Sequence, residues 1–243
     1  RRNRTPRRYR GRRGSISALG CGSTLALGLR WTSGGDSSVK RVVVSQRVDN
    51  YPKRNETRDA LDQELISFLL VAGFLPVPIP NVLHKVMPNG HREYEIVDEW
   101  LSQVKPSALI LSGGNDIGES SLRDSTEERM LEYAKRQRLP VLGICRGMQM
   151  IAHLAGAKLH RVEGHVRTTH QIAGEVKAEV NSFHTFSIDD CPRGYRVLAI
   201  SEDGEIEAIR HRSLPWEGWM WHPEREKKFN KLLIKRAKKL FKE

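Results

Sequence analysis

One stretch, residues 139–156, constrains the fold of this chain more than any other. It reads LPVLGICRGMQMIAHLAG, and the short apolar run after Pro140 is typical of a strand buried on both faces. A turn between Gly143 and Gly147 follows, and apolar side chains then recur at the spacing of a helix. The stretch therefore predicts a buried strand, a tight turn and a helix, with Cys145 at the apex of the turn.

Cys145 occupies the position of a nucleophile in this turn. A nucleophile flanked by glycines two positions away, between a strand and a helix, forms a nucleophile elbow that presents the central side chain to a cleft. The dipole of the following helix favours the thiolate, which is the reactive form of cysteine. The turn by itself is equally compatible with Cys145 as a small core residue, the usual role of a lone cysteine.

Strands and helices alternate before this stretch. The predicted strands are residues 42–44, 108–111 and 141–144, with a polar turn at 45–49 after the first of them. The predicted helices contain residues 61–72, 97–104 and 130–134, the last opened by a capping box at Ser125 and Glu128. Such alternation is typical of a parallel sheet covered on both faces, so we expect an α/β fold with three layers, α/β/α, and a mostly parallel central sheet.

Shorter segments follow Gly156. Residues 195–200 and 206–209 predict a hairpin, and residues 219–221 predict a last short strand. A polar loop at 163–170 contains two histidines, and an amphipathic helix at 229–240 ends the chain. The basic outer face of this helix is compatible with an acidic partner, although simple solvation is the more common role of such a face.

The net charge of +12 belongs to the two ends of the chain. Residues 1–40 carry ten Lys or Arg and one acid, residues 225–243 carry nine and two, and residues 41–224 have a net charge of −4. We therefore expect a disordered basic arm over 1–39, or a targeting remnant, and one domain over 40–243 with a basic C-terminal helix. The acidic body does not predict specific nucleic-acid binding, although the ends could hold polyanions non-specifically.

Cysteine usage and hydropathy limit the remaining classes. Three cysteines far apart in sequence argue against a disulfide framework and favour a reducing cytoplasm, although the Arg-rich start leaves organellar targeting open. No apolar run approaches the roughly 20 residues that cross a bilayer. His165 and His170 have no companion cysteine or clear ligand spacing, so no metal site and no cofactor are predicted.

Three segments with reactive groups follow predicted strands. They are Cys145, the pair Gly113 and Gly114, and the pair His222 and Glu224. In parallel sheets such groups meet beyond the carboxyl ends of the strands. Glycines can direct backbone N–H groups at an oxyanion, and residues two apart point to one side of an extended chain. These segments predict a cysteine nucleophile, a histidine base and an orienting carboxylate in one cleft.

The body of the chain, from residue 41 to about 224, resembles the class I glutamine amidotransferase superfamily with its flavodoxin-like sandwich. The resemblance is carried by GICRGMQ at 143–149, SGGND at 112–116 and WHPE at 221–224. The arginine after Cys145 and VNSFH at 180–184 are similar to the γ-glutamyl hydrolase branch, which includes hydrolases of γ-glutamyl-GABA and of γ-glutamyl-CDP-amidate. SQRVD at 45–49 and RDALDQ at 58–63 look closest to the bacterial relatives from surface-polysaccharide loci.

The resemblance implies acyl transfer at a glutamyl side chain. Cys145 would attack the γ-carbonyl of a γ-glutamyl amide, and His222, oriented by Glu224, would move the protons. Backbone N–H groups of Gly114 and Arg146 would hold the oxyanion. Water would then release glutamate from the thioester.

The resemblance also indicates where a substrate would bind. The residues implied in glutamyl binding are Gly113, Gln149, Phe183, His184, Thr185 and Phe186. Thr185 and Phe186 depart from the family pattern, so the details of this contact stay open. Arg47, Arg54 and Arg58 follow the first strand, where one or more could bind a phosphate of the leaving group; ordinary solvated arginines are the alternative.

Two other functions remain open from the sequence. The first is a glutaminase subunit that delivers ammonia to a partner synthetase or ligase, because such a subunit uses the same three groups. The second is a non-enzymatic binding module with basic arms. The sequence does not identify the leaving group or the oligomeric state.

Overall fold

A nine-stranded mixed sheet forms the centre of this computed structural model, which describes residues 40–86, 92–93 and 95–243. The arm predicted for 1–39 lies outside the described residues. The strands are β1 (Arg41–Val44), β2 (Arg47–Tyr51), β3 (Glu56–Ala60), β4 (Leu75–Pro78), β5 (Lys85–Val86), β6 (Arg92–Glu93), β7 (Ala108–Leu111), β8 (Val141–Ile144), β9 (Leu159–Arg161), β10 (Val166–Gly174), β11 (Ala178–Phe183), β12 (Phe186–Ile188), β13 (Tyr195–Ser201), β14 (Ile206–His211) and β15 (Trp216–Trp219). The helices are α1 (Gln63–Val71), α2 (Glu95–Val104), α3 (Ser121–Gln137), α4 (Arg146–Leu154) and α5 (Lys231–Leu240).

The sheet has a parallel half and an antiparallel half that share one strand. Its order is β11-β10-β13-β14-β15-β8-β7-β1-β4. Strands β15, β8, β7, β1 and β4 pair in parallel, and strands β11, β10, β13, β14 and β15 pair antiparallel. The parallel half is the one that the alternation of strands and helices predicts, and the hairpin of β13 and β14 is also confirmed.

Helices cover both faces of the parallel half. Residues 42–44 of β1 are all buried; Val42 and Val44 pack on one face with side chains of α1 and α5. Val43 points to the other face, where side chains of α2, α3 and α4 pack. Because successive strand residues alternate between faces, an all-apolar strand needs a helical layer on each side. The predicted three-layer α/β sandwich is therefore confirmed.

The structure corrects three local predictions. Residues 45–49 are not a simple turn, because β2 begins at Arg47 and pairs antiparallel with β3. The capping box at Ser125 is wrong, because α3 begins at Ser121 and Ser120 caps it by accepting a hydrogen bond from the backbone N–H of Arg123. The last strand of the sheet is Trp216–Trp219, so residues 220 and 221 follow it instead of belonging to it.

Across the described ranges, no helix is long and apolar enough to cross a membrane.

Candidate active site

The turn between β8 and α4 is packed so closely that two of its positions accept only glycine. A Cβ atom on Gly143 would lie 2.5 Å from the backbone of Gly147, and one on Gly147 would lie 2.1 Å from the carbonyl oxygen of Leu111 in β7. Contacts this short cannot be relieved by moving a flexible side chain. The glycines that predicted the elbow are thus required by close approach of the backbone.

Cys145 sits at the apex of this turn in a conformation that non-glycine residues rarely adopt. Its φ is +50° and ψ is −110°, and it directly precedes the first turn of α4. Backbone strain of this kind is concentrated at functional sites. The Cys145 N–H donates to the carbonyl of Trp219 at 2.7 Å, which ties the apex to the end of β15. Only 7% of the residue is exposed, and its thiol forms a hydrogen bond with His222.

His222 lies between a thiol and a carboxylate. Its Nδ1 is 2.6 Å from Oε1 of Glu224, and both side chains are buried. Burial by itself would lower the pKa of the imidazole. Hydrogen bonds to Cys145 and Glu224, together with the negative charges of these two groups, outweigh burial and raise the pKa of His222 to about 9. The ring is therefore held as an imidazolium at neutral pH, next to the sulfur.

The position of His222 is set by contacts from elsewhere in the sheet. The side chain of Asn181 in β11 accepts from the His222 N–H at 3.0 Å and donates to the His222 carbonyl at 2.7 Å. The ring lies against Gly113, where an added Cβ would meet Cε1 at 2.6 Å. His222 and Glu224 are not on an extended chain as expected, because Pro223–Arg225 forms a 3-10 turn that brings the carboxylate under the ring.

The loop after β7 carries one of the two predicted oxyanion donors. Gly114 has a φ of +114°, which glycine adopts without strain. The guanidinium of Arg123, fully buried in α3, donates to the carbonyls of Ser112 at 2.7 Å and Gly113 at 3.0 Å. A buried cation bonded to both carbonyls fixes the orientation of the peptide units that precede Gly114.

A buried ion network connects this loop to the helix of the elbow. Glu127 in α3 pairs with Arg123, at 3.0 Å, and with Arg146. The Arg146 side chain also pairs with Asp124, so it points into the network, and only its backbone N–H remains for the predicted oxyanion role. Burial lowers the pKa of Arg146 to about 9 and that of Arg123 to about 10, and both stay cationic at neutral pH. Sequence reasoning missed this network, since Asp124 and Glu127 lie beside the predicted capping box and nothing in their spacing indicates a buried partner.

A cleft of about 300 Å³ opens beside Cys145 and His222. The predicted site residues that line it are Arg47, Gly114, Cys145, Arg146, Gln149, Phe183, His184, Thr185 and His222. Gly113 and Glu224 line an adjoining cleft of about 260 Å³ on the other side of the imidazole. The structure therefore brings together all predicted residues of the site except Phe186, which lines neither cleft.

Phe186 contributes its backbone instead. Its carbonyl accepts from the Gln149 amide at 2.9 Å and lies 3.1 Å from Nδ1 of His184. Both of these side chains are almost fully buried. The segment from Phe183 to Phe186 is thereby held against α4, and it forms one wall of the cleft.

Of the arginines considered for phosphate binding, only Arg47 lines the cleft. Arg58 makes a two-point contact with Glu56 on the same hairpin, at 2.6 and 2.9 Å, and Arg54 belongs to a 3-10 turn at the tip of that hairpin. Arg225, which sequence reasoning missed, lines both clefts and lies over the ring of Phe183 at 4.9 Å. Its position next to the WHPE segment was the available signal.

The polar loop predicted at 163–170 is wrong for residues 166–170, which begin β10, whereas residues 163–165 precede the strand. His165 is 2% exposed, and His170 lies within β10, where its ring packs 4.8 Å from that of His165. A run of polar residues is typical of a solvated loop, whereas here most of the run belongs to a strand, and the side chains of His165, just before the strand, and His170 within it pack together.

A three-layer α/β fold with a cysteine at a strand-turn-helix apex, next to a histidine and a carboxylate, is typical of hydrolases that act through a thiol. The match of residues 81–237 to the model of the family described as glutamine amidotransferase class-I makes the class specific. The chain belongs to the class I glutamine amidotransferase family, and it is an enzyme of the amidotransferase type that hydrolyses C–N bonds.

Individual relatives agree with this assignment. The chain is 32% identical over 201 residues to a γ-glutamyl-CDP-amidate hydrolase from Campylobacter jejuni, covering 79% of this chain and 93% of that protein. It is 33% identical over 150 residues to one subunit of the glutamine-hydrolyzing GMP synthase from Thermococcus kodakarensis, covering 58% and 75%. A solved GMP synthase-type subunit from Thermoplasma acidophilum shares the fold, with a TM-score of 0.63 at 18% identity over 84% of this chain and 94% of that one.

Proposed function

We propose that the protein cleaves the γ-glutamyl amide bond of a small γ-glutamyl compound, and that the compound is a γ-glutamyl nucleotide phosphoramidate. The contact between Cys145 and His222, in a cleft that also holds Arg47, is the observation that carries this proposal. The likeness to a γ-glutamyl-CDP-amidate hydrolase over 93% of that protein supports the substrate class.

The reaction proceeds through a thioester. The Cys145 thiolate attacks the γ-carbonyl carbon, and the backbone N–H groups of Gly114 and Arg146 donate to the oxyanion. The C–N bond then breaks as His222 donates a proton to the departing nitrogen. Water, deprotonated by the neutral His222, attacks the thioester carbon, which releases glutamate and returns the thiol. Each oxyanion donor contributes on the order of 100- to 1000-fold in rate.

The raised pKa of His222 fits this sequence of steps. A histidine with a pKa of about 9 keeps its proton at neutral pH, next to the sulfur that attacks the substrate. The same proton is then available for the leaving nitrogen. Glu224 stabilises the imidazolium and holds the ring with Nε2 free to face the reaction.

The walls of the cleft divide between the two parts of such a substrate. Gln149, Thr185 and the backbone of 183–186 receive the glutamyl head group. Arg47 and Arg225 lie on the cleft and carry the positive charge that a phosphate of the leaving group requires. Arg47 pairs with the half-buried Asp49, and Arg225 pairs with the exposed Asp62. A phosphate would compete with these two carboxylates for the arginines.

A panel of γ-glutamyl amides tests the proposal. Glutamate release is measured with glutamine, γ-glutamyl-GABA and a γ-glutamyl nucleotide phosphoramidate. We expect kcat/KM to be at least about tenfold higher for the phosphoramidate. Cys145→Ala should lower turnover at least about 10⁴-fold, whereas Cys191→Ala, a change of the same type outside the cleft, should leave it unchanged. Full activity of Cys145→Ala would contradict the mechanism.

The phosphate contact is tested on the hairpin of β2 and β3. Arg47→Ala should raise KM for the phosphoramidate by about 10- to 100-fold, the effect of losing one charge-assisted contact, and should leave γ-glutamyl-GABA hydrolysis unchanged. Arg58→Ala is the matched control, because Arg58 is an exposed arginine of the same hairpin that does not line the cleft. An equal effect of Arg47→Ala on both substrates would exclude this contact.

A second function is favoured by the likeness to the GMP synthase subunit, which belongs to a glutamine-hydrolyzing enzyme. An ammonia-donating protein of this kind would use the same cysteine and histidine but would act on glutamine and would depend on a synthetase partner. Weak activity on glutamine that rises when a synthetase from the same organism is added would favour this function over the first. Salt-sensitive binding to nucleic acid with no thiol-dependent hydrolysis would instead indicate a binding module.

A further inference from the structure

A cluster of three histidines around a buried carboxylate lies in the antiparallel half of the sheet. We call His165, His170, His184 and Glu207 the histidine cluster. His165 directly precedes β10, His170 lies in β10, His184 follows β11, and Glu207 lies in β14. Oε1 of Glu207 is 3.3 Å from Nε2 of His170, 3.3 Å from Nε2 of His184 and 3.5 Å from Nδ1 of His165. The reaction proposed above uses none of these side chains except through the position of His184.

The carboxylate of the cluster is fully buried without an ordinary hydrogen bond. Glu207 has no exposed surface, and among the described residues neither of its carboxylate oxygens has a hydrogen-bond partner of normal geometry. The same holds for Nε2 of His170. A buried carboxylate is costly unless a cation is placed against it, and no arginine or lysine of the described residues pairs with Glu207.

Two of the imidazole rings are oriented by acceptors at the ring nitrogen that does not face Glu207. Nε2 of His165 is 2.8 Å from the carboxylate of Asp203, and Nδ1 of His184 is 3.1 Å from the carbonyl of Phe186. Both acceptors require a proton on the ring nitrogen that faces them. The other nitrogen of each ring is then left as a lone pair directed into the cluster. A carboxylate or backbone carbonyl behind a histidine is the arrangement that orients histidine ligands in metal sites.

Four of the distances between the inward atoms match those in a small tetrahedral ion site. Metal–nitrogen bonds of about 2.0–2.1 Å in a tetrahedron place neighbouring ligand atoms about 3.3–3.4 Å apart. Nδ1 of His165 is 3.2 Å from Nε2 of His184, and the contacts to Glu207 are 3.3 to 3.5 Å. The ligand atoms offered by His165, His170 and Glu207 lie within 4.8 Å of one another.

We propose that the histidine cluster is a binding site for a divalent transition metal, with Zn²⁺ as the ion that its nitrogen-rich donors and spacing suit best. His165, His170 and Glu207 form the group whose ligand atoms could share one ion, and we assign His184 as a fourth ligand from its contacts of 3.2 Å with His165 and 3.3 Å with Glu207. Four protein ligands leave no open position, which makes the site structural rather than catalytic. Because His184 belongs to the segment 183–186, which forms one wall of the cleft, the bound ion would also hold that segment in place.

Metal binding by the full chain, prepared without a histidine tag, tests the proposal. The Cys145→Ala protein is used, so that the active-site thiol cannot act as a competing ligand. After treatment with a chelator, the protein is titrated with Zn²⁺ and with Co²⁺. We expect about one ion per chain and the intense visible absorption of Co²⁺ in a tetrahedral site. We also expect the thermal midpoint to rise with bound Zn²⁺ and to fall with the chelator.

Two variants and one control separate the cluster from other histidines. His170→Ala removes the ligand with the most exposed side chain, at 12%, and should weaken Zn²⁺ binding by at least about tenfold. Glu207→Gln should do the same, and His170→Ala decides the question if Glu207→Gln does not fold. His160→Ala is the control, since His160 is a half-exposed histidine paired with two carboxylates outside the cluster, and it should bind as before.

Three results would overturn the proposal: no ion retained above background, an affinity unchanged by His170→Ala, or an equal loss in His160→Ala. None of these results bears on glutamate release, which is measured with the active protein, so the proposed reaction is tested independently.

Discussion

Replacing Glu224 by glutamine should change the pH dependence of the reaction, and not only its rate. The pKa of His222 is raised from 6.5 to about 9, a difference worth about 3 kcal/mol in favour of the imidazolium. Glu224 contributes to this through a 2.6 Å hydrogen bond and its negative charge. Burial of the ring, which opposes the charged form, remains in the variant. Loss of one adjacent carboxylate typically changes a pKa by about 1–3 pH units.

The expected result follows from the sign of this change. In the native enzyme the alkaline limb of kcat/KM should lie near pH 9, where His222 loses its proton. If Glu224→Gln lowers that pKa by about 1.5 pH units, the protonated fraction at pH 8.5 falls roughly eightfold, whereas at pH 6.5 it falls by only about one tenth. The loss of activity should therefore be about eight times larger at pH 8.5 than at pH 6.5, in addition to any pH-independent loss from poorer orientation of the ring.

The assay is glutamate release under kcat/KM conditions from pH 6 to 10, on the best substrate of the panel. Glu226→Gln is the matched control, because it makes the same substitution two residues away, at a carboxylate that does not bond to the ring. An alkaline limb that stays near pH 9 in Glu224→Gln, with equal losses at both pH values, would refute the argument that Glu224 holds the charge of His222.

Two further substitutions test how the site is built. Gly147→Ala should place a Cβ 2.1 Å from the Leu111 carbonyl oxygen and lower the free energy of unfolding by about 2–3 kcal/mol. Thermal unfolding would then show a midpoint lower by roughly 5–10 °C. An unchanged midpoint would contradict the packing described for the elbow. Asn181→Ala should remove both hydrogen bonds to the backbone of His222 and lower kcat by about 10- to 100-fold with little change in fold; steady-state kinetics and circular dichroism would check this, and an unaltered kcat would mean that the 3-10 turn alone positions the ring.

The parts of this molecule that could be predicted from sequence are those whose signal is local. Buried apolar runs and helical spacing were enough for the layered α/β fold, because a parallel strand covered on both faces leaves a continuous apolar pattern. Cys145, Gly114 and His222 could be identified for a related reason, since each follows a predicted strand within a short motif. The prediction that they meet in one cleft needed only the rule that the carboxyl ends of parallel strands lie at one edge of the sheet.

The parts that were missed depend on side-chain contacts between separate elements of the chain. Asn181 holds His222 across 41 positions, and Arg123 holds the carbonyls of Ser112 and Gly113 from a helix whose start was misplaced. A polar residue in a strand or helix gives no sign of whether it faces solvent or a buried partner. His165 shows this directly, because the residues around it are polar and yet it is almost completely buried.

The distance between the sulfur and the imidazole is a property of strand register. Ile144, which precedes Cys145, pairs with Trp219 in β15, three positions before His222, and the Cys145 N–H bonds to the Trp219 carbonyl. The two reacting side chains thus follow the ends of two adjacent, paired strands. They are therefore brought together as soon as the sheet has formed. Substrate binding is not needed to bring them together. A shift of the β8–β15 register by one residue, about 3.3 Å, would separate them.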